Sequence, residues 1–271
     1  MYRFTWEKRS GIKYITIPEW KSNGVSIGFS SRWGGVSHEP YNTLNLALHV
    51  DDLYNDVMEN RKRYLNLFSL NLNNMVCCEQ VHGNSVVIVN KDYLGCGAWD
   101  LSNVLAGFDA MVCAEPGIGL TTFYADCIPL FFFDPVQRVV AIAHSGWKGT
   151  LAGIAGATLK AMQSSFNSYL DNVQVFIGPG IGACCYNIGE ELAQMVIRKF
   201  PQNKEIIQWN KTRCTWDLKL TNKLILQKNG VNLDKILDCG ICTACEADTF
   251  FSYRHDKGKT GRMGALIALD Y

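Results

Sequence analysis

Residues 121–150 read T-T-F-Y-A-D-C-I-P-L-F-F-F-D-P-V-Q-R-V-V-A-I-A-H-S-G-W-K-G-T, and this stretch decides the fold of the chain. Residues 128–133 and 139–143 are short apolar runs bounded by turn-forming residues, a pattern typical of buried strands. Cys127 precedes the first run and His144 follows the second. If the two strands are antiparallel neighbours, Cys127 and His144 lie at the same end of the sheet. Such a pair indicates metal ligands, or a nucleophile with its base.

The composition is that of an ordinary globular protein. The chain has 271 residues, of which 48% are hydrophobic and 19% charged, and its net charge is +1. A net charge this small does not indicate binding to nucleic acid or to an anionic membrane. No apolar segment reaches the ~18 residues of a membrane span, and the N-terminus lacks the apolar stretch of a signal peptide. We therefore expect a cytoplasmic protein with neither a nucleic-acid nor a membrane partner.

The eleven cysteines are an odd number without a secretion signal, so we expect reduced thiols and not a disulfide framework. Cys184 and Cys185 are adjacent, cannot face one way along a strand, and are interpreted as packing residues. Cys239, Cys242 and Cys245 contain C-x-x-C, which is half of a zinc site. The partner pair for that half-site is missing from the pattern.

Strand and helix signals alternate along the chain and predict an α/β layered domain with a mixed central sheet. Apolar periodicity predicts a helix from residue 51 or 52 to about 67. A second helix is expected to open at the S-G-W-K-G turn. Residues 76–81 and 85–89 predict a hairpin with His82 at its turn.

Three residues at strand ends or turns stand out: His82, Cys127 and His144. Two imidazoles and one thiolate leave the fourth position of a tetrahedral zinc open, which is the catalytic arrangement. Their wide separation along the chain does not by itself justify grouping them.

Short motifs run through most of the chain: S-R-W-G-G-V-S (31–37), L-N-L (44–46), Q-V-H-G (80–83), A-D-C-I-P (125–129), A-H-S-G-W-K-G (143–149), I-G-P-G-I-G-A-C-C-Y (177–186) and F-F-S-Y-R (250–254). In this order they resemble the YfiH family, also called the polyphenol-oxidase or laccase-domain family. Two exchanges depart from its common pattern, A-H-S-G-W-K-G for A-H-A-G-W-R-G and Y-R-H-D for Y-R-R-D, each at a cationic position.

The resemblance implies a single catalytic α/β domain over residues 1–271, with zinc held by His82, Cys127 and His144. It also implies activity on purine nucleosides as a monomer or homodimer. The reactions expected are phosphorolysis of adenosine, inosine and S-methyl-5'-thioadenosine, and deamination of adenosine.

The expected mechanism uses the metal to lower the pKa of a bound water towards ~7, for attack on a purine ring carbon. Arg32, beside two glycines, would hold phosphate, although a charged residue beside a turn would look the same. Asn45, Lys148 and Arg262 are the further substrate-binding candidates. Asp126 could orient an imidazole or shuttle a proton, and a strand-end cap is the alternative.

Other classes of chemistry stay open. Cys127 could be a nucleophile with His144 as its base, which would make the protein a cysteine hydrolase. A cysteine with two histidines is also a copper ligand set, but the chain's five histidines are too few for a multicopper oxidase, so copper ranks below zinc. In a fourth interpretation, the protein is not an enzyme and zinc only holds its loops together.

Overall fold

The computed structural model describes residues 3–210 and 213–271. The strands are β1 (Thr5–Arg9), β2 (Ile12–Thr16), β3 (Val25–Ser30), β4 (Met75–Cys77), β5 (Val86–Ile88), β6 (Ala110–Cys113), β7 (Gly119–Tyr124), β8 (Ile128–Asp134), β9 (Val139–Ser145), β10 (Gln174–Ile177), β11 (Asn187–Ile188), β12 (Ile207–Trp209), β13 (Cys214–Trp216), β14 (Ile236–Asp238) and β15 (Met263–Leu269). The α-helices are α1 (Pro18–Ser22), α2 (Tyr54–Asn66), α3 (Trp147–Ala152), α4 (Ile154–Phe166), α5 (Glu190–Lys199) and α6 (Leu218–Lys228). Short 3-10 helices span Leu72–Asn74, Lys91–Tyr93, Lys204–Ile206 and Leu233–Lys235.

The strands form two large sheets and one small sheet in the part of the chain that is described. Their orders are β1-β2-β3-β15-β7-β4, β14-β10-β8-β9-β6-β5 and β11-β13-β12. Both large sheets are mixed, because β4–β7, β5–β6 and β10–β14 are parallel pairs among antiparallel ones. The α/β class is confirmed. Two mixed sheets and a small antiparallel one take the place of the one central sheet that was predicted, because strand signals do not say which strands pair.

Strands β8 and β9 form the antiparallel pair that residues 121–150 predict. Pro129 lies opposite His144, and Ile128 lies opposite Ser145. Both strands are buried along their whole length, which explains their nearly continuous apolar sequence. The register therefore brings His144 to the end of the sheet where Cys127 enters β8.

The two large sheets pack face to face between helices. Side chains alternate along β8, so that Phe131 and Phe133 pack towards the first sheet against residues such as Ile267. Leu130 and Phe132 point the other way and join the core formed with α4 and α6. The outer face of the first sheet packs on α2. The order of layers is helix, sheet, sheet, helix.

The helices agree with the periodicity of the sequence. Helix α2 occupies most of the segment predicted between residues 51 and 67. The S-G-W-K-G turn opens α3, and Gly153, at φ +81°, separates α3 from α4. Across the described residues, the structure contains no helix that is both long and apolar enough to cross a bilayer.

The hairpin predicted around His82 is wrong. Strand β4 pairs with β7 in the first sheet, whereas β5 pairs with β6 in the second sheet. The intervening segment therefore crosses from one sheet to the other. Two apolar runs around a turn are the signal of a hairpin, and only tertiary pairing distinguishes it from a crossing. His82 consequently lies between the sheets.

Candidate active site

Three side chains from different elements meet where the two large sheets come together. His82 comes from the crossing segment, Cys127 from the turn before β8, and His144 from β9. We call them the histidine–cysteine cluster. Their ligand atoms all lie within 4.8 Å of one another, and Cys127 Sγ is 4.0 Å from His82 Nε2. The sequence-predicted ligand set is therefore brought together in space.

Asp109 orients two members of this cluster, although no motif in the sequence had indicated a role for it. Its buried carboxylate is 2.8 Å from His144 Nδ1 and accepts hydrogen bonds from the backbone amides of His82 (2.9 Å) and Gly83 (2.6 Å). The bond to Nδ1 directs Nε2 of His144 towards Cys127. The sequence offered one signal for this role, an aspartate directly before a buried strand. Because its hydrogen-bond partners are remote in sequence, that signal did not identify them.

The backbone around the cluster adopts conformations that non-glycine residues rarely take. Gln80, His82 and Asp126 have φ values of 63°, 65° and 88°. Such outliers cluster at functional sites. A Cβ atom at Gly146 would lie 2.9 Å from His82 Cδ2 and 3.0 Å from Cys127 Sγ, so only glycine fits beside the cluster. The chain thus keeps this space clear of its own side chains.

The cluster favours a thiolate beside a protonated imidazole. Burial acts to raise the pKa of Cys127, but His144 and His82 outweigh it and lower that pKa to about 6. Burial acts to lower the pKa of His144, but the Cys127 thiolate and Asp109 raise it above its ordinary value. Burial also acts to raise the pKa of Asp109, yet the hydrogen bonds from His144 and Gly83 bring it below its ordinary value.

The cluster opens into a cavity of about 520 Å³. This volume lies within the range of ~300–1,000 Å³ that is usual for small-molecule sites. Aromatic side chains form much of its wall: Phe123, Trp147, Tyr186 and Tyr253. A flat, apolar ring system could lie against such a wall.

Two guanidinium groups, those of Arg254 and Arg262, line the cavity together with the carboxylates of Glu79 and Asp126. Nη1 of Arg262 donates to the carbonyl oxygens of Thr260 (2.7 Å) and Gly261 (3.0 Å), which fixes the group in place. Nη1 of Arg254 donates to main-chain carbonyls in the same way. Within residues 3–210 and 213–271, Nε and Nη2 of both groups have no hydrogen-bond partner. They are therefore available to an anion.

His49 also lines the cavity, and its ring is 6.4 Å from that of Phe123. His49 has an exposed surface, but many protein atoms surround its imidazole ring and displace water from it. This desolvation, reinforced by the charge of Arg262, lowers the pKa of His49 to about 4. The imidazole is therefore neutral at pH 7 and can accept a hydrogen bond.

Arg32 and Asn45 lie outside the cavity wall. The guanidinium of Arg32 donates to Asn42 and to the carbonyl oxygen of Ala247, and it lies over the ring of Phe251. Asn45 is fully buried and accepts a hydrogen bond from the backbone amide of Arg262 at 2.9 Å. Asn45 thus positions Arg262, and Arg32 holds its own loop together.

Lys148 and Asp126 are also not placed as the sequence-based roles require, which were substrate binding for Lys148 and orientation of an imidazole for Asp126. Lys148 is exposed over the ring of Trp147 and does not line the cavity. Asp126 does line it, but its carboxylate accepts from Thr243 Oγ1 and from the amide of Arg254, both at 2.7 Å. Neither carboxylate oxygen bonds to an imidazole. This arrangement favours the capping interpretation of Asp126.

A second group of possible metal ligands lies near the cavity and corrects the interpretation of Cys184 and Cys185. These residues lie in a turn, not in a strand, so neighbouring side chains can face the same way. Their sulfurs meet those of Cys242 and Cys245, and all four lie within 4.8 Å of one another. We call this group the four-cysteine cluster. Cys239 is not part of it.

The histidine–cysteine cluster suits a metal ion by its donor chemistry. Two imidazole nitrogens and one thiolate are ligands for zinc or copper, and three protein ligands leave one position for a substrate or water. Asp109 supplies the carboxylate partner that metal-binding histidines usually have. Gly146 keeps the space between the ligands open.

Comparison with known proteins identifies the family. The family model described as "multi-copper polyphenol oxidoreductase laccase" matches residues 26–270. The chain belongs to this family.

The chain is similar to relatives over nearly its whole length. The purine nucleoside phosphorylase YlmD of Geobacillus stearothermophilus is 37% identical over 247 residues, covering 90% of each chain. The purine nucleoside phosphorylase YlmD of Bacillus subtilis is 36% identical over 262 residues, covering 94% of each. The crystal structure of a Bacillus licheniformis hypothetical protein, YfiH, superposes with a TM-score of 0.92 at 32% identity, covering 98% of this chain and 99% of that one. The resemblance to the YfiH family is thereby confirmed.

Proposed function

We propose that this laccase-family chain is a zinc-dependent purine nucleoside phosphorylase. One observation carries the proposal: the histidine–cysteine cluster opens directly into a cavity that combines aromatic walls with two guanidinium groups. A purine nucleoside and a phosphate ion need these two environments side by side. The relatives named purine nucleoside phosphorylase support the same activity.

His82, Cys127 and His144 would hold the zinc ion. A zinc ion held there would supply a Lewis acid at the end of the cavity. The chain's own part is to fix the ligands: Asp109 fixes the ring of His144 through Nδ1 and fixes His82 through its backbone amide. The three protein ligands and the open cavity disfavour the non-enzymatic interpretation, in which a fourth protein ligand would seal the site.

The aromatic wall would bind the base and the cations would bind phosphate. Tyr186 and Tyr253 present rings to the cavity for stacking on a purine. Arg262 and Arg254 would hold the phosphate through their remaining donors. Arg32 and Lys148 lie away from the cavity wall, so the proposed anion site no longer includes them.

The reaction requires no oxidant. A phosphate oxygen forms a bond to C1' of the ribose while the C1'–N9 bond breaks. The bonding electrons go to the purine, which takes up a proton as it leaves. The guanidinium groups stabilise the phosphate in line with C1', and orientation of this kind contributes a large part of such rate enhancements. Adenosine, inosine and S-methyl-5'-thioadenosine all contain the bond that breaks.

Deamination of adenosine is the second reaction proposed for the same cavity. A water oxygen adds to C6 of the adenine ring and ammonia leaves, so the product is inosine. This reaction needs no phosphate. The neutral imidazole of His49 lies among the lining residues and can accept a hydrogen bond from the base.

The test is turnover of adenosine by protein of known zinc content, with and without phosphate, followed by chromatography. Adenine and ribose-1-phosphate should appear only with phosphate, and inosine should appear without it. Both activities should be lost in Cys127→Ala and kept in Cys96→Ser, since Cys96 belongs to neither cluster. Zinc-loaded protein that converts no purine nucleoside would contradict the proposal.

A cysteine hydrolase is the second candidate, and one observation favours it. Cys127, His144 and Asp109 form a chain of thiol, imidazole and carboxylate, in which the lowered pKa of Cys127 suits a nucleophile. In that case metal-free protein would be at least as active as zinc-loaded protein, and alkylation of Cys127 would abolish the activity. Copper oxidation has less support, because the metal-ligand groups found in the described residues include only two of the chain's five histidines.

A further inference from the structure

We infer that Cys184, Cys185, Cys242 and Cys245 form a second metal site, a closed four-thiolate centre for zinc. This inference rests on the four-cysteine cluster alone and is independent of the proposed function. The cluster shares no residue with the histidine–cysteine cluster. Its ligands come from two chain segments that are about 60 residues apart.

The sulfur positions match a tetrahedral centre. Sulfurs bound at ~2.3 Å to a tetrahedral zinc lie ~3.8 Å apart. Cys245 Sγ is 3.4 Å from both Cys184 Sγ and Cys185 Sγ, and no pair in the group exceeds 4.8 Å. Thiols are weak hydrogen-bond partners, so contacts among them explain little of this convergence.

The backbone is organised as it is around bound thiolates. The amide of Gly182 donates to Cys242 Sγ at 3.1 Å. Hydrogen bonds from groups that do not themselves bind the metal orient the metal ligands and stabilise their negative charge. The amide of Thr243 donates to the carbonyl oxygen of Gly180, which ties the two cysteine-bearing segments together next to the cluster. The ligands are thus held in position by the main chain.

The ligand type selects the metal. Four thiolates form a soft, closed tetrahedral set, which prefers zinc to hard ions such as magnesium or calcium. With all four positions taken by protein, no substrate position remains. Cys184 and Cys245 are exposed, so a metal ion can reach the cluster from solvent. The nearby guanidinium of Arg254, bonded to the carbonyl oxygen of Cys185, offsets the negative charge of the centre.

The position of the centre gives it a structural role. One cysteine-bearing segment also supplies Ile181 and Tyr186 to the cavity, and the other leads to Tyr253 and Arg254. A zinc ion joining the segments would fix two walls of the cavity relative to each other. The role is positioning, since no cysteine of this cluster lines the cavity.

The test compares zinc content in five forms of the full chain, purified without chelator and measured by elemental analysis. Wild-type protein should bind about two zinc ions per chain, and Cys184→Ser/Cys245→Ser should bind about one. Cys127→Ser should also bind about one, and the variant that combines all three substitutions about none. Cys96→Ser, the matched control, should equal wild type.

Cobalt provides a second readout that does not depend on activity. In the Cys127→Ser background, cobalt should give the strong thiolate charge-transfer bands of a four-sulfur centre, and the additional Cys184→Ser/Cys245→Ser change should remove them. Zinc content unchanged by Cys184→Ser/Cys245→Ser would overturn the inference. So would an intact mass lower by one pair of hydrogens in metal-free protein purified under reducing conditions, because the cluster would then be a disulfide.

Discussion

The histidine–cysteine cluster and the four-cysteine cluster are two groups of possible metal ligands in one protein, and they are built differently. The first combines nitrogen and sulfur donors, comes from a crossing segment, a turn and a strand, and faces a cavity of about 520 Å³. The second contains only sulfur, and two of its four cysteines, Cys184 and Cys245, are exposed in turns at the surface. The comparison teaches that an open coordination position, not the presence of cysteine, distinguishes a site for chemistry from a site for structure.

The support behind the two clusters differs as well. The histidine–cysteine cluster is backed by a buried carboxylate, that of Asp109, which bonds to a ligand side chain and to two amides. The four-cysteine cluster is backed by a backbone amide on Cys242 Sγ. A carboxylate fixes the orientation and the tautomer of an imidazole, whereas an amide stabilises charge on sulfur. Each support matches the ligands that it serves.

Removal of zinc should have the largest effect and should separate the clusters. Chelator-treated protein should lose phosphorolysis by about 10³-fold, because a Lewis acid contributes several kcal/mol to the transition state. Added zinc should restore it. Cys184→Ser/Cys245→Ser, assayed with zinc, should lose far less kcat, because the four-cysteine cluster only positions walls of the cavity. A comparable loss of kcat in that variant would show that the four-cysteine cluster takes part in the chemistry.

Thiol reactivity should show the second largest difference. In chelated protein at pH 7, Cys127 is mostly thiolate, since its pKa is about 6. Burial and the hydrogen bond with Cys245 raise the pKa of Cys184 to about 11. Alkylation of Cys127 should therefore be ~10²-fold faster, after allowing for the lower intrinsic nucleophilicity of an acidic thiol.

Peptide mapping after timed iodoacetamide treatment would measure both rates between pH 5 and 9. The rate at Cys127 should fall as the pH drops through about 6, because its thiolate is then protonated. The rate at Cys184 should still be rising at pH 9. Equal rates at pH 7 would mean that His144 does not polarise Cys127.

Asp109→Asn should have the smallest of these effects and act on one cluster only. The side-chain NH2 group would face backbone N–H groups whose hydrogen bonds the carboxylate now accepts, and two donors cannot pair. The orientation of His144 would therefore be disturbed. We expect zinc affinity of the histidine–cysteine cluster to fall ~10- to 100-fold, which competition with a chromophoric chelator would measure. Asp134→Asn, another buried carboxylate at the far end of β8, is the control. Equal losses in both variants would indicate general destabilisation.

Local structure was largely predictable from the sequence, and long-range pairing was not. The apolar runs 128–133 and 139–143 became β8 and β9, and their antiparallel register brought Cys127 and His144 together. The crossing at His82 was mistaken for a hairpin, because a turn between two apolar runs carries no information about sheet membership.

The sequence predicted which three residues meet at the candidate site, but not the residues that support them. His82, Cys127 and His144 were identified through motifs, whereas Asp109 acts through partners that only the fold brings near. Arg32 was expected at the phosphate because of its glycine-rich loop, but its donors bind the main chain. The sequence shows that an arginine carries a charge. Only tertiary contacts show whether its guanidinium donors are already hydrogen-bonded within the protein.

Strand β15 lies between β3 and β7, and this placement governs the order in which the protein can assemble. The amide of Gly264 donates to Ser30 Oγ across 234 residues of sequence, and β3 and β7 each keep one unpaired edge until residues 263–269 have been made. Closing so long a loop is slow, because its entropy is lost before the new contacts form. Arg262 immediately precedes β15. We therefore expect the cavity to gain Arg262 in its final position only when β15 pairs between β3 and β7, after the residues of the histidine–cysteine cluster have been synthesised.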